Sequence, residues 1–203
     1  YQTYAVTLRE GTNRLALTLA NGWYKGKLGF MPQPNNYGDT TAALAALCIT
    51  YEDGHEEWIG TDESWLCTTG AVQFSEIYDG ETQDFTAAPA ELQPTRLFDY
   101  GFDTIIGQEN EPVRCLQKLP VVKDFTTPKG EKVYDFGQNL TGWVEVEIYG
   151  EPGQKLTLRH AESLDENGNF YTENLSWAKA TDTYILSGGK QILHPHFTWH
   201  GFR

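Results

Sequence analysis

Trp143-Val144-Glu145-Val146-Glu147-Ile148-Tyr149 is apolar at every second position from Val144 to Ile148. Side chains of an extended chain point alternately to opposite faces, so this spacing predicts a half-buried β-strand. Glu151-Pro152-Gly153 turns the chain. Lys155-Leu156-Thr157-Leu158-Arg159-His160 then alternates in the other sense, which predicts a hairpin partner. Working outward, Asp165-Glu166-Asn167-Gly168 is a further turn, and Asp182–Leu186 and Gln191–Phe202 read as strands around Gly188-Gly189. Upstream, Val113–Leu119, Val121–Phe125 and Lys132–Phe136 continue the pattern. So do Tyr1–Thr7, Asn13–Leu19, Ala42–Tyr51, Glu56–Ile59, Trp65–Thr68 and Gln73–Tyr78. The fold class is all-β, most simply two β-sandwich units of the jelly-roll kind.

Composition agrees. Of 203 residues, 13% are aromatic and a single one is Met, a bias that suits pleated, half-buried surfaces. Fifteen basic against 28 acidic residues leave a net charge of −13, which repels phosphate backbones and excludes general nucleic-acid binding. No apolar run approaches the ~20 residues of a membrane-spanning helix. Ala87–Pro112 holds Pro89, Pro94 and Pro112 without periodicity, and reads as a linker. The expected division is therefore residues 1–88, a linker over 89–111, and residues 112–203. Because both ends lie inside strand-like runs, the chain is expected to be a piece of a longer protein. Cys48, Cys67 and Cys115 lack metal-type spacing and read as small buried hydrophobes, with a Cys48–Cys67 disulfide the alternative.

Few constellations carry chemistry. Asp165-Glu166-Asn167-Gly168-Asn169 resembles a calcium loop only loosely, since its Gly comes too early, and reads as a turn. His194, His196 and His200 fall on one face if Gln191–Phe202 is a single strand, with His160 able to join them by folding. A His-x-His pair can hold zinc, but no Cys or carboxylate completes a recognisable spacing, and packing histidines are the simpler reading. Glu145 and Glu147 share a strand face but read as solvated. The Gly22–Asp39 loop is the better lead. It carries Trp23, Tyr24, Phe30 and Tyr37 beside Asn21, Asn35, Asn36 and Asp39. Aromatic faces stack on sugar rings while amides bond hydroxyls, so Trp23, Tyr24, Asn36 and Tyr37 are the candidate sugar-binding residues. The competing reading is that these aromatics roof the core.

From Tyr134 the sequence resembles bacterial α-L-rhamnosidases. The words are Tyr134-Asp135-Phe136-Gly137-Gln138-Asn139-Leu140-Thr141-Gly142-Trp143-Val144, then Leu158-Arg159-His160-Ala161-Glu162-Ser163-Leu164. Ala180-Thr181-Asp182-Thr183-Tyr184 and Pro195-His196-Phe197-Thr198-Trp199-His200-Gly201-Phe202-Arg203 follow in order. They are similar to the family's concanavalin-like β-sandwich. Asn21-Gly22-Trp23-Tyr24, Thr61-Asp62-Glu63-Ser64-Trp65 and Ile77-Tyr78-Asp79-Gly80-Glu81 resemble its amino-terminal β-sandwich.

The resemblance implies a modular, inverting glycoside hydrolase that removes terminal α-L-rhamnose. Its general acid and base lie on an (α/α)6 barrel outside these 203 residues. No catalytic residue is therefore carried over, and this portion is expected to be inactive alone. The implied partner is the catalytic barrel of the same chain. Two roles stay open here: scaffold for that barrel, or a module binding L-rhamnose, for which the resemblance also implies calcium. The Gly137–Gly142 turn is expected to pack against the barrel.

Overall fold

The computed structural model describes residues 1–30 and 33–203, so Met31 and Pro32 of the aromatic loop lie outside the described residues. The strands are β1 (Ala46–Thr50), β2 (Glu56–Gly60), β3 (Leu66–Cys67), β4 (Val72–Glu76), β5 (Gly80–Asp84), β6 (Gln93–Pro94), β7 (Lys123–Thr126) and β8 (Lys132–Asp135). They continue as β9 (Leu140–Gly142), β10 (Val146–Gly150), β11 (Lys155–Arg159), β12 (Ser163–Leu164), β13 (Phe170–Tyr171), β14 (Thr181–Ile185), β15 (Gly189–Leu193) and β16 (His200–Phe202). Among the described residues, helix is confined to one turn, α1 (Gly22–Lys25), and a short 3-10 segment at Glu173–Leu175. The all-β expectation holds.

The chain forms two compact units that interleave in sequence. The first gathers Tyr1–Leu19, Ala42–Cys67 and Leu92–Leu116; the second gathers Ala20–Thr41, Thr68–Glu91 and Gln117–Arg203. Residues 20–41 and 68–88, which the expected division places in the amino-terminal part, and 89–91, which it places in the linker, are grouped in the second unit.

In the first unit β1 and β2 form an antiparallel hairpin, Ala46 opposite Gly60 and Thr50 opposite Glu56, and β3 pairs with β6. Tyr1–Thr7 and Asn13–Leu19 alternate as expected but form no ladder among the described residues, and alternation without a hydrogen-bonded neighbour makes no sheet. Val113–Leu119 likewise forms no strand. All three cysteines are exposed and none is in a disulfide, so the expectation of burial is corrected.

Every fully buried side chain among the described residues lies in the second unit. Its main sheet runs β11–β14–β5–β4, with β14 and β5 parallel and the other pairs antiparallel. A β10–β15 pair sets Val146 opposite Leu193. Tyr184, Leu186 and Leu193 form the core, with Leu156 and Leu158 of β11, Val146 and Ile148 of β10, and Phe85 packed against them. The expected β10–β11 hairpin is therefore overturned: the two strands enter different sheets and face each other across the core. The turn between them enforces this. Gly150 passes so close to Leu186 that a Cβ there would lie 2.4 Å from Leu186 Cδ1. Gly153, at φ +79°, donates its N–H to Leu186 O at 2.8 Å.

Gly80 opens β5 at φ +113°, and a Cβ on it would meet Thr181 O at 1.9 Å. Only glycine tolerates both the dihedral and the approach. Gly80→Ala is expected to cost about 2 kcal/mol or more, because strain and overpacking add. The midpoint of urea unfolding measures it, and an unshifted midpoint refutes it.

Candidate functional site

The four candidate sugar-contact residues lie in the second unit, on the loop that α1 opens. The loop closes on its own backbone: Asn35 N donates to Lys25 O at 2.8 Å and Tyr37 N to Tyr24 O at 3.1 Å. The Asn36 amide nitrogen donates to Gly26 O and Gln33 O. Tyr24 and Tyr37 stack with centroids 6.5 Å apart, and Gly38 lies so close to the Tyr24 hydroxyl that no Cβ fits there. Trp23 turns to other partners. It meets Tyr78 edge-on at 5.5 Å and Trp199 at 6.2 Å, and Tyr78 in turn meets Trp177 at 4.6 Å. The structure thus separates the set: Trp23 joins an aromatic cluster, Tyr24 and Tyr37 pair with each other, and the Asn36 amide holds the loop.

Charge borders this cluster. Lys27 Nζ lies 5.5 Å over the Trp177 ring and 2.6 Å from Asp79 Oδ2, which Lys179 also approaches at 3.7 Å. Lys27 N donates to Glu76 Oε2 at 3.0 Å. The second oxygen of each acid, Glu76 Oε1 and Asp79 Oδ1, is buried without a hydrogen-bond partner among the described residues. Calcium takes six to eight oxygens. Two ammonium groups already share Asp79, so these residues do not make a calcium donor set. Asp165 is no calcium site either. Its Oδ1 accepts from Asn167 N and Asn169 N, as the turn reading expects.

Beneath the cluster lies a buried polar layer. Glu81 accepts from His196 N at 3.0 Å, Phe197 N at 2.9 Å and the Gln83 amide. Asp182 Oδ1 accepts from Glu81 N at 3.0 Å, and the two Asp182 oxygens lie 3.3 and 3.2 Å from His200 Nε2. His160 stacks on His200 at 4.2 Å and directs Nδ1 to Ala180 O at 2.9 Å. Burial, and next the neighbouring His200, push the His160 pKa down to about 4, so its imidazole is neutral near pH 7.

The expected histidine face is corrected here. Residues 191–202 are not one strand: β15 ends at Leu193, and Pro195 has no N–H to offer a ladder. His194 and His196 sit together, rings 4.8 Å apart, while His200 meets His160. Glu81 and Asp182 escaped the sequence reading. Their signal was parity: Asp182 alternates with Thr181 and Thr183 on the core-facing side of β14, in step with Tyr184 and Leu186.

The fold and the site together define an all-β, β-sandwich module with a loop-borne aromatic cluster and a buried carboxylate layer. Residues 1–117 match the α-L-rhamnosidase N-terminal domain, and residues 125–203 match the bacterial α-L-rhamnosidase concanavalin-like domain. The chain belongs to the bacterial α-L-rhamnosidase family. It is 39% identical to an α-L-rhamnosidase of Streptomyces avermitilis, aligning over all of this chain and 21% of that protein. It is 32% identical to one of Alteromonas sp. strain LOR, over 99% of this chain and 23% of that protein. Native α-L-rhamnosidase from Aspergillus terreus superposes with a TM-score of 0.84 at 36% identity, over 90% of this chain and 22% of that one. The Streptomyces avermitilis enzyme complexed with L-rhamnose gives 0.81 at 36% identity, over 90% and 19%. The chain thus spans about a fifth of the length of the relatives it matches.

Glu81→Ala would leave two backbone N–H groups and the Gln83 amide without their buried acceptor. A loss of about 3 kcal/mol or more in unfolding free energy is expected. A change under about 1 kcal/mol, within the range of an ordinary neutral hydrogen bond, would contradict this account of the layer.

Proposed function

We propose that this chain is the non-catalytic scaffold of an α-L-rhamnosidase and holds the catalytic (α/α)6 barrel that the family resemblance implies. On this reading the parent enzyme hydrolyses terminal α-L-rhamnose with inversion. Its carboxylate pair lies on the barrel and not on these residues. What supports the scaffold role is the outer face of β10–β15. Val146 and Ile148 point to the core, while Tyr149 and Ile192 point away, 79% and 61% exposed. Register places Tyr149 opposite Lys190 and Ile192 opposite Glu147, so the two apolar groups are diagonal neighbours. A Lys190–Glu147 ion pair at 3.0 Å borders them. Exposed apolar groups with a charged rim are the kind of surface a partner covers.

In the full-length enzyme, replacing Tyr149 and Ile192 together by Ser is expected to lower Tm by about 4 °C or more, with KM unchanged. An unaltered Tm would remove this face from the interface. A raised KM at unaltered Tm would place it at the substrate instead.

One observation favours a second reading, a sugar site at Trp23. Glu76 Oε1 and Asp79 Oδ1 are buried acceptors lacking donors, beside the Trp23–Tyr78–Trp177 cluster. Aromatic walls bordered by charged and polar groups suit a hydroxyl-rich ring such as L-rhamnose. Trp23 and Tyr37 would offer ring faces, with Tyr24 and Asn36 shaping the loop. Calorimetric titration with L-rhamnose is expected to give saturable heat that Trp23→Ala abolishes and a chelator leaves unchanged. No heat from the folded chain would end this reading and leave the scaffold role alone.

A further inference from the structure

We propose that His160, Asp182 and His200 form a structural zinc site inside the second unit. The three side chains come from the end of β11, from β14 and from β16, and are 2%, 0% and 2% exposed. One ligand atom from each lies within 4.8 Å of the others. Asp182 Oδ2 is 3.2 Å from His200 Nε2 and 4.0 Å from His160 Nε2. Zinc bonds of about 2.0–2.2 Å in a tetrahedron set ligand atoms roughly 3.3–3.5 Å apart. His200 and Asp182 lie close to that spacing, and His160 Nε2 is 4.0 Å from the same carboxylate oxygen.

The second observation is an orphaned lone pair. His160 Nδ1–H donates to Ala180 O, which fixes the tautomer and leaves Nε2 a bare acceptor. That Nε2 is buried, has no hydrogen-bond partner among the described residues and faces the Asp182 carboxylate. A lone pair facing a carboxylate in a dry site suits a cation placed between them. A backbone carbonyl on the far nitrogen is also the usual way a metal-binding histidine is oriented.

Charge points the same way. Asp182 and Glu81 are both buried carboxylates, and their ion-pair partners among the described residues are histidines alone, with no Lys or Arg. Taking such charges out of water is costly unless a compensating charge accompanies them, and a divalent ion supplies one. The Tyr184 hydroxyl, two residues along on the same face of β14, is a further buried polar atom without a hydrogen-bond partner among the described residues. Two imidazole nitrogens and one carboxylate favour zinc over calcium or magnesium, which prefer all-oxygen sets. The ligands are closed off from solvent, so the ion would act on folding: it would clamp β11, β14 and β16, and its binding energy would appear as stability.

The test uses the untagged full chain. Purified without chelator, it is expected to hold about one zinc per molecule by elemental analysis. Unfolding in chelator and refolding metal-free should lower Tm by about 5 °C or more; zinc should restore it and magnesium should not. Cobalt added to the refolded apoprotein should give the visible bands of a tetrahedral site. His160→Gln and Asp182→Asn are each expected to weaken zinc binding at least tenfold, and His194→Gln to leave it unchanged. Absence of a cobalt spectrum together with a Tm indifferent to zinc would overturn the proposal, and that reading needs no variant to fold. Equal zinc binding by His160→Gln and His194→Gln would overturn it as well.

Discussion

The second unit hangs on one contact between segments a hundred residues apart: the Glu81 backbone N–H donates to Asp182 Oδ1 at 3.0 Å. It locks the start of β5 against β14 just before their parallel pairing begins at Thr82 and Thr183. Gly80 makes the approach sterically feasible, and Glu81 then sends its own carboxylate on to the amides of His196 and Phe197. Asp182 turns the other way, toward His160 and His200. Tyr184, next on the same face, heads the apolar core. Remove that contact and the sheet, the acid layer and the roof of the core lose a common anchor.

Four acids with little or no exposure sit within this region, and each is stabilised differently. Glu81 is held by backbone N–H groups, which cost no side-chain entropy and hold a carboxylate strongly. Asp182 has one such donor and the His200 imidazole. Nearer the surface, Glu76 takes a single backbone donor and Asp79 two lysines, each leaving one oxygen idle. Donor supply therefore falls from the interior outward, toward the aromatic cluster.

Much of the fold was legible in the sequence, because alternation reports directly which side of a strand meets the core. Val146 and Ile148, Leu156 and Leu158, and the β1–β2 hairpin around Gly54 all follow from period two and turn chemistry. Partnership was not legible. Alternation names a face but not a neighbour, so β10 and β11 looked like a hairpin when a close pass over Leu186 sends them to opposite layers. The parallel β5–β14 contact carries no local signature at all. For the candidate site, Trp23 and the histidines stood out by type, whereas Asp182 was hidden among 28 acids until its parity with Tyr184 is noticed. The pairing of His160 with His200 depended on a break at Pro195 whose effect on facing cannot be counted through.

The interleaving of the two units has a temporal side. β4 and β5 leave the ribosome long before β14, the strand that sits between β5 and β11 in the finished sheet. At about 5–20 residues per second, synthesis of the intervening hundred residues takes roughly 5–20 seconds. During that interval β5 presents an open edge and an unmatched acid to the cell, in the manner of an exposed strand inviting foreign partners. Glu81 and its acidic neighbours then do a second service, since charge on a waiting edge discourages the wrong pairing until the right strand arrives.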